Sequence, residues 1–257
     1  MEALVAALKR HPGPSVVLFA VLFRVVHGLL GKVTPPKVVA SDEFQAWKWK
    51  NLSLSMVHST LTGTWAVSSV LLWPETLSDL HFYHTPLSYL LVCISTGYFV
   101  HDTADIIGTG NGRRSWEFLI HHALVLSCFL YTLYTQLYVA GAVMVLLVEV
   151  NSVTLHLRLL LKMVGATSSA AYRLNKVLNV CTFVAVRLAT QFYITWYISA
   201  NYSKLDHAAF FMACVMAMNV IMLVYLYRLI RSDFLPRAGG PHADRNGTHN
   251  SKKFVTD

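Results

Sequence analysis

Charge is scarce in this sequence. Only 13% of its 257 residues are Asp, Glu, Lys or Arg and 55% are apolar, where a soluble domain carries roughly 25% charged residues. With a mean hydropathy of +0.48, that balance excludes a soluble globular domain and marks an all-α, polytopic membrane bundle. Loop cysteines are absent as well. Cys93, Cys128, Cys181 and Cys214 all lie inside apolar runs, which argues for free, buried packing thiols and against a disulfide framework or a metal site. No P-loop, Gly-x-Ser-x-Gly or zinc-protease motif occurs, and no cofactor is expected. The net charge of +8 comes from basic residues placed singly or in pairs at the ends of apolar runs. Such placement speaks of membrane orientation and not of nucleic acid.

What is present is a succession of about six to seven apolar runs. The first covers residues 15–31, after Lys9, Arg10 and a Pro-Gly-Pro turn; it is either a retained anchor or a cleaved signal-like segment, and Arg24 and His27 inside it favour the anchor. Residues 32–50 read as a polar basic loop ending in Trp47-Lys-Trp-Lys50, with Trp47 and Trp49 as interface anchors. The second run, 51–73, places Ser55, His58, Thr62 and Ser69 on one helical face. A loop over 74–85 without Lys or Arg precedes Pro86, which opens the third run, 86–107. Runs over 115–134, 137–163, 174–200 and 208–230 complete the series. Asn219, in the last, reads as a hydrogen-bonded packing residue. The chain thus divides into an N-terminal anchor and basic loop (1–45), a transmembrane bundle (46–234) and a disordered cytoplasmic tail (235–257).

The chemistry collects around residues 97–122. His101, Asp102 and Asp105 end one apolar run, a basic turn follows, and His121 and His122 lie within the first two turns of the next. Titratable side chains at such positions are costly in lipid unless they face a protein interior or a wet cavity. His101 and Asp105 are four apart and able to pair. Farther along, Glu149, Ser152 and His156 share one helical face, and Arg187 and Gln191 lie well inside the sixth run, with Arg187 a counter-ion for Glu149. Adjacent helical histidines project about 100° apart, so His121 and His122 line a cavity more readily than they share one atom. An imidazole there serves as base or nucleophile toward an activated acyl group, oriented by a carboxylate. His101, Asp102 and Asp105 lack a metal-ligand spacing and read otherwise as a polar helix cap.

Lysines and arginines set the orientation. Lys32, Lys37, Lys48, Lys50, Arg113, Arg114, Lys162, Arg173 and Lys176 fall on one side, with Arg231 and further basic residues after the last run; Lys9, Arg10 and Lys204 fall on the other. The N-terminus is then outside and the C-terminus cytoplasmic, with His121-His122 about 9 Å in from the cytoplasmic helix end. Asn201-Tyr-Ser203 is the one sequon both outside and in a loop, and Asn246-Gly-Thr248 stays unmodified.

Trp47-Lys-Trp-Lys-Asn-Leu, Gly97-Tyr-Phe-Val-His-Asp, Trp116-Glu-Phe-Leu-Ile-His-His and Leu147-Val-Glu-Val together resemble the TRAM-LAG-CLN8 (TLC) domain family over residues 46–234. Ceramide synthases in that family carry a His-His pair followed on the next helix by His-Asp-x-x-Asp. By resemblance His121 and His122 match the pair and Glu149 the first aspartate, while Val148 and Ser152 replace the histidine and second aspartate. The branch resembled implies a plasma-membrane protein, with the endoplasmic reticulum as alternative site, that restricts polyunsaturated chains in phosphatidylethanolamine and limits fluidity. Two alternatives stand beside it: a ceramide-synthase-like acyl-CoA transferase using His121, His122 and Glu149, and a non-enzymatic accessory of a membrane-protein partner. The expected ligand is a phospholipid or acyl-CoA in a cavity lined by His58, His101, Asp102, Asp105, Ser152, His156, Arg187 and Gln191.

Overall fold

The computed structural model describes residues 2–32, 36–40 and 42–233. The tail, residues 235–257, and the Asn246 sequon lie outside the described residues, among which there is no strand. The helices are α1 (Glu2–Arg10), α2 (Pro12–Leu30), the short α3 (Lys37–Ala40), α4 (Glu43–Leu72), the short α5 (Glu75–Ser78), α6 (Pro86–Gly108), α7 (Trp116–Thr135), α8 (Val139–Leu146), α9 (Glu149–Met163), α10 (Ala170–Thr182), α11 (Ala189–Ala200) and α12 (Ala208–Asp233). A π-helical segment, Phe183–Leu188, joins α10 to α11. Six stretches are long and apolar enough to cross a membrane: α2, α6, α7, the continuous α8–α9, the continuous α10–α11, and α12. The second run is α4, which is long enough at 30 residues but carries the polar stripe.

Local chemistry explains most boundaries. Asp42 caps α4, its carboxylate accepting from the Phe44 and Gln45 amides at 2.8 and 3.2 Å, and Glu43 favours the positive helix start. That cap corrects the basic loop of 32–50, because residues 43–50 are the first turns of α4. At α6 a reciprocal capping box joins Thr85 and Ser88, with Pro86 at the first helical turn. Between α7 and α8, Gln136 and Tyr138 adopt left-handed φ values of 60° and 61°. The four cysteines are free; Cys93 and Cys214 are buried as expected, whereas Cys128 is half-buried and Cys181 is exposed on the outward face of α10.

The helices form a ring in which α6 touches α4 and α7, α4 touches α9, α9 touches α10, and α11 touches α12, which returns to α7. The α2 helix lies outside, against α6 and α4. Its approach to α6 is close: a Cβ on Gly97 would lie 2.4 Å from the Phe19 Cβ and 2.9 Å from the Ala20 nitrogen. Only glycine permits that spacing. Within the ring α8 contacts α4, α6, α7 and α11 and buries Val139, Ala140, Ala142, Val143, Met144 and Leu146, filling one end. The regular bonding of this run then breaks at Leu147 and Val148, whose amides donate to the carbonyls three residues back, and α9 continues along the wall against α4 and α10. Gly63 lets α4 meet this break, a Cβ there lying 3.0 Å from the Val150 nitrogen. The plug stops and the wall continues, so space opens at the other end.

Candidate functional site

That space is a cavity of about 780 Å³, within the range of about 300–1,000 Å³ usual for ligand sites. Its walls differ in character. The α4, α6, α7 and α9 sides present most of the hydroxyls, imidazoles and carboxylates, whereas α12 presents Met218, Ile221, Met222 and Val224 together with Tyr225 and, nearer its end, Arg228 and Arg231. Toward the open end stand Arg158, Arg228 and Arg231. Arg228 there grips Glu117 of α7 with N···O distances of 3.0 and 2.7 Å. The basic loops gather at this end, where the Arg114 guanidinium lies 4.7 Å from the Phe44 ring centre. At the opposite end Lys9 meets His84 at 2.9 Å and His81 meets Asp206 at 3.1 Å.

The two adjacent histidines are treated differently by their surroundings. His122 is buried and held at both ring nitrogens: Nε2 is 3.5 Å from Asp102 Oδ2, and Nδ1 is 3.3 Å from Thr103 Oγ1. Asn51 donates in turn to the other Asp102 oxygen. His121, one residue earlier and turned toward the cavity, receives no hydrogen bond from any described residue; its ring packs against Phe99 at 6.3 Å and His122 at 5.7 Å. The carboxylate nearest a histidine of the pair is Asp102 on α6, while Glu149 lines the same cavity as His121. Thr103 and Asn51 escaped the sequence reading, although Asn51 stands four before Ser55 on the polar face of α4.

Deeper along the polar wall His58 stacks on Tyr98, with ring centres 3.8 Å apart and planes 10° from parallel, and Tyr98 donates to Ser55 at 2.8 Å. Glu149 is the first residue of α9, where the helix dipole favours an anion. One of its oxygens accepts from Ser59 at 2.6 Å. The π segment carries Arg187 to the same cavity, where its guanidinium donates to Ser152 at 2.7 Å and to the Val148 carbonyl at 3.4 Å. The expected ion pair between Glu149 and Arg187 is not formed, because each side chain is held by a neighbouring serine instead. His58 Nε2, His156 Nδ1 and Arg187 Nε are buried without a hydrogen-bond partner.

His58, Asp102, Ser152, His156 and Arg187 thus line the cavity with His121, His122 and Glu149. His101, Asp105 and Gln191 do not. Asp105 faces α2 and α4, where it meets Arg24 at 3.4 Å, His27 at 3.5 Å and the Trp47 indole N–H at 2.9 Å. Trp47 is accordingly a hydrogen-bonding partner inside the protein, beyond the interface role its sequence context suggests. The His101 ring packs edge-on to His27 at 5.4 Å and its Nε2 has no partner, so the anticipated bond from His101 to Asp105 is replaced by contacts with α2. Gln191 turns to α12 and donates to the Val215 carbonyl at 3.3 Å. Nearby Asn219 donates to Thr195 at 3.1 Å, as expected of a packing residue. No cluster of three metal-ligating side chains occurs among the described residues.

A multi-pass helical bundle enclosing a cavity with one apolar wall and one wall of imidazoles and acids is a membrane protein built around an intramembrane polar site. The TLC domain matches residues 48–231, and the chain belongs to the TLC domain family. It is 40% identical to TLC domain-containing protein 1 of Gallus gallus over 247 residues, 95% of each chain. To TLC domain-containing protein 1 of Homo sapiens it is 35% identical, covering 96% of this chain and 98% of the relative. To TLC domain-containing protein 2 of Danio rerio it is 38% identical, covering 83% and 86%. The matched region begins after α2, so α2 is packed against the family domain from outside it.

Proposed function

We propose that the protein sets the acyl composition of membrane phospholipids, restricting polyunsaturated chains in phosphatidylethanolamine, by holding an acyl-bearing amphiphile, a phospholipid or acyl-CoA, in this cavity. The observation that carries the reading is the division of labour between His122, pinned at both nitrogens, and His121, unbonded and facing the cavity. In this reading His121 is the reacting imidazole and His122, with Asp102, fixes its neighbour. The His121 nitrogen attacks the thioester carbonyl, an N–C bond forms, the C–S bond breaks and coenzyme A leaves as the thiol; the acyl group then passes to a lipid hydroxyl or amine, whose proton returns to the imidazole. The apolar α12 wall supports a place for the chain.

The same reading puts the protein in the plasma membrane with its N-terminus outside, the cavity opening at the basic, cytoplasmic end. Denaturing mass spectrometry after incubation with acyl-CoA tests it. A fatty acyl mass on the wild type, lost in His121→Ala, is the expected result, together with loss of the phosphatidylethanolamine acyl shift in cells carrying His121→Gln at normal abundance. A wild-type acyl profile in the His121→Gln cells, with no adduct on the purified protein, removes the chemistry and leaves lipid or partner binding as the means of regulation.

A further inference from the structure

Glu149 and Arg187 line one cavity and remain unpaired. The guanidinium is only 7% exposed, with Nε unsatisfied, and donates to a hydroxyl and a carbonyl, both neutral. The carboxylate has a single hydrogen bond, from Ser59. Buried charges held apart in this way are costly unless opposite charge completes them. Ser59 of α4 holds the carboxylate, Ser152, three residues after Glu149 on α9, holds the guanidinium that reaches it from the π segment, and both serines line the cavity too. The two opposite charges thereby face the same cavity without a direct ion pair between them.

We infer that this pair is the headgroup subsite for a zwitterionic glycerophospholipid: the ligand's ammonium lies against Glu149 and its phosphate against Arg187. A guanidinium suits phosphate oxygens, and a primary ammonium gives the carboxylate the donors it lacks. His58 and His156, each with an unfilled ring nitrogen, complete the polar shell. The glyceryl chains then run along α12. The inference rests on the cavity being the lipid site, as proposed above, but not on any chemistry at His121.

Binding to the full-length protein in detergent, followed by native mass spectrometry, tests it with three probes: phosphatidylethanolamine, the same lipid acetylated on nitrogen, and phosphatidylglycerol. The wild type is expected to prefer phosphatidylethanolamine over the acetylated form by about tenfold or more, the order of a lost buried charge contact. Glu149→Gln keeps the size and the Ser59 bond and is expected to abolish that preference by weakening phosphatidylethanolamine alone. Arg187→Gln is expected to weaken all three probes together. Should that variant fail to fold, the Glu149→Gln comparison and the probe series still decide. Equal binding of the amine and its acetylated form to the wild type overturns the headgroup assignment, as does a Glu149→Gln effect that is the same on every probe. Binding of none of the three overturns the lipid cavity itself, a result distinct from loss of the acyl adduct.

Discussion

Replacing Gly97 by alanine adds one methyl group at the tightest contact between α2 and α6. The new Cβ would sit 2.4 Å from the Phe19 Cβ and 2.9 Å from both the Phe19 carbonyl carbon and the Ala20 nitrogen. Two of those atoms are backbone, so no rotamer change relieves them and α2 must move as a body. Overpacking of this kind costs about 1–3 kcal/mol, and the backbone clash places it toward about 3 kcal/mol. The effect reaches the site. Phe23, one turn from Phe19, meets the His58 ring at 6.0 Å and the Tyr98 ring at 5.3 Å, and Arg24 and His27 hold Asp105. Displacing α2 loosens all of these contacts. Equilibrium unfolding in mixed detergent and dodecyl sulfate micelles measures the cost, with Gly28→Ala as control, since nothing lies within 4 Å of a Cβ there. Gly97→Ala should unfold at clearly lower dodecyl sulfate while Gly28→Ala is unchanged or slightly more stable. Equal midpoints for wild type and Gly97→Ala would refute the packing of α2 described here.

Asp102→Asn withdraws the carboxylate from His122 and, under the proposed chemistry, should lower acyl transfer more than stability, the latter by about 1–2 kcal/mol; an acyl-adduct yield equal to wild type contradicts the proposed orienting role. Gln136→Gly removes the side chain from a left-handed turn and should stabilise the protein by about 1 kcal/mol, read as a higher thermal midpoint in detergent. Maleimide labelling should reach the exposed Cys181 first and Cys93 last, with no mass change on reduction; early labelling of Cys93 contradicts its burial.

Hydropathy alone carried the membrane class, because a span is a local property of 20 or so consecutive residues. The inward stripe of α4 was equally legible: Ser55, His58, Thr62 and Ser69 are all buried, as their spacing on one face requires. What the spacing did not carry is which helix each polar group meets. Asp102 and Asp105 are three apart on α6, yet one turns to His122 across the bundle and the other to α2, a choice made by the neighbours on each side. The Glu149 and Arg187 expectation failed for the same reason, since Ser59 comes from a helix ninety positions away in sequence. The break at Leu147 and Val148 has no proline or glycine to announce it; it follows from α8 filling the ring and α9 lining it.

The π segment before α11 gives the sixth run something like a reading frame. Its wider turn holds one residue more than an ordinary helix of equal rise, and Arg187 faces the cavity because of it. Deleting a single residue between 183 and 188 would restore regular helix with nearly the same rotation and rise, so Thr190, Gln191, Ile194 and Ile198 would keep their buried face. A deletion after 188 would instead turn all that follows it by about 100° and carry those side chains off that face. The segment therefore absorbs a one-residue loss that the regular helix on either side of it does not.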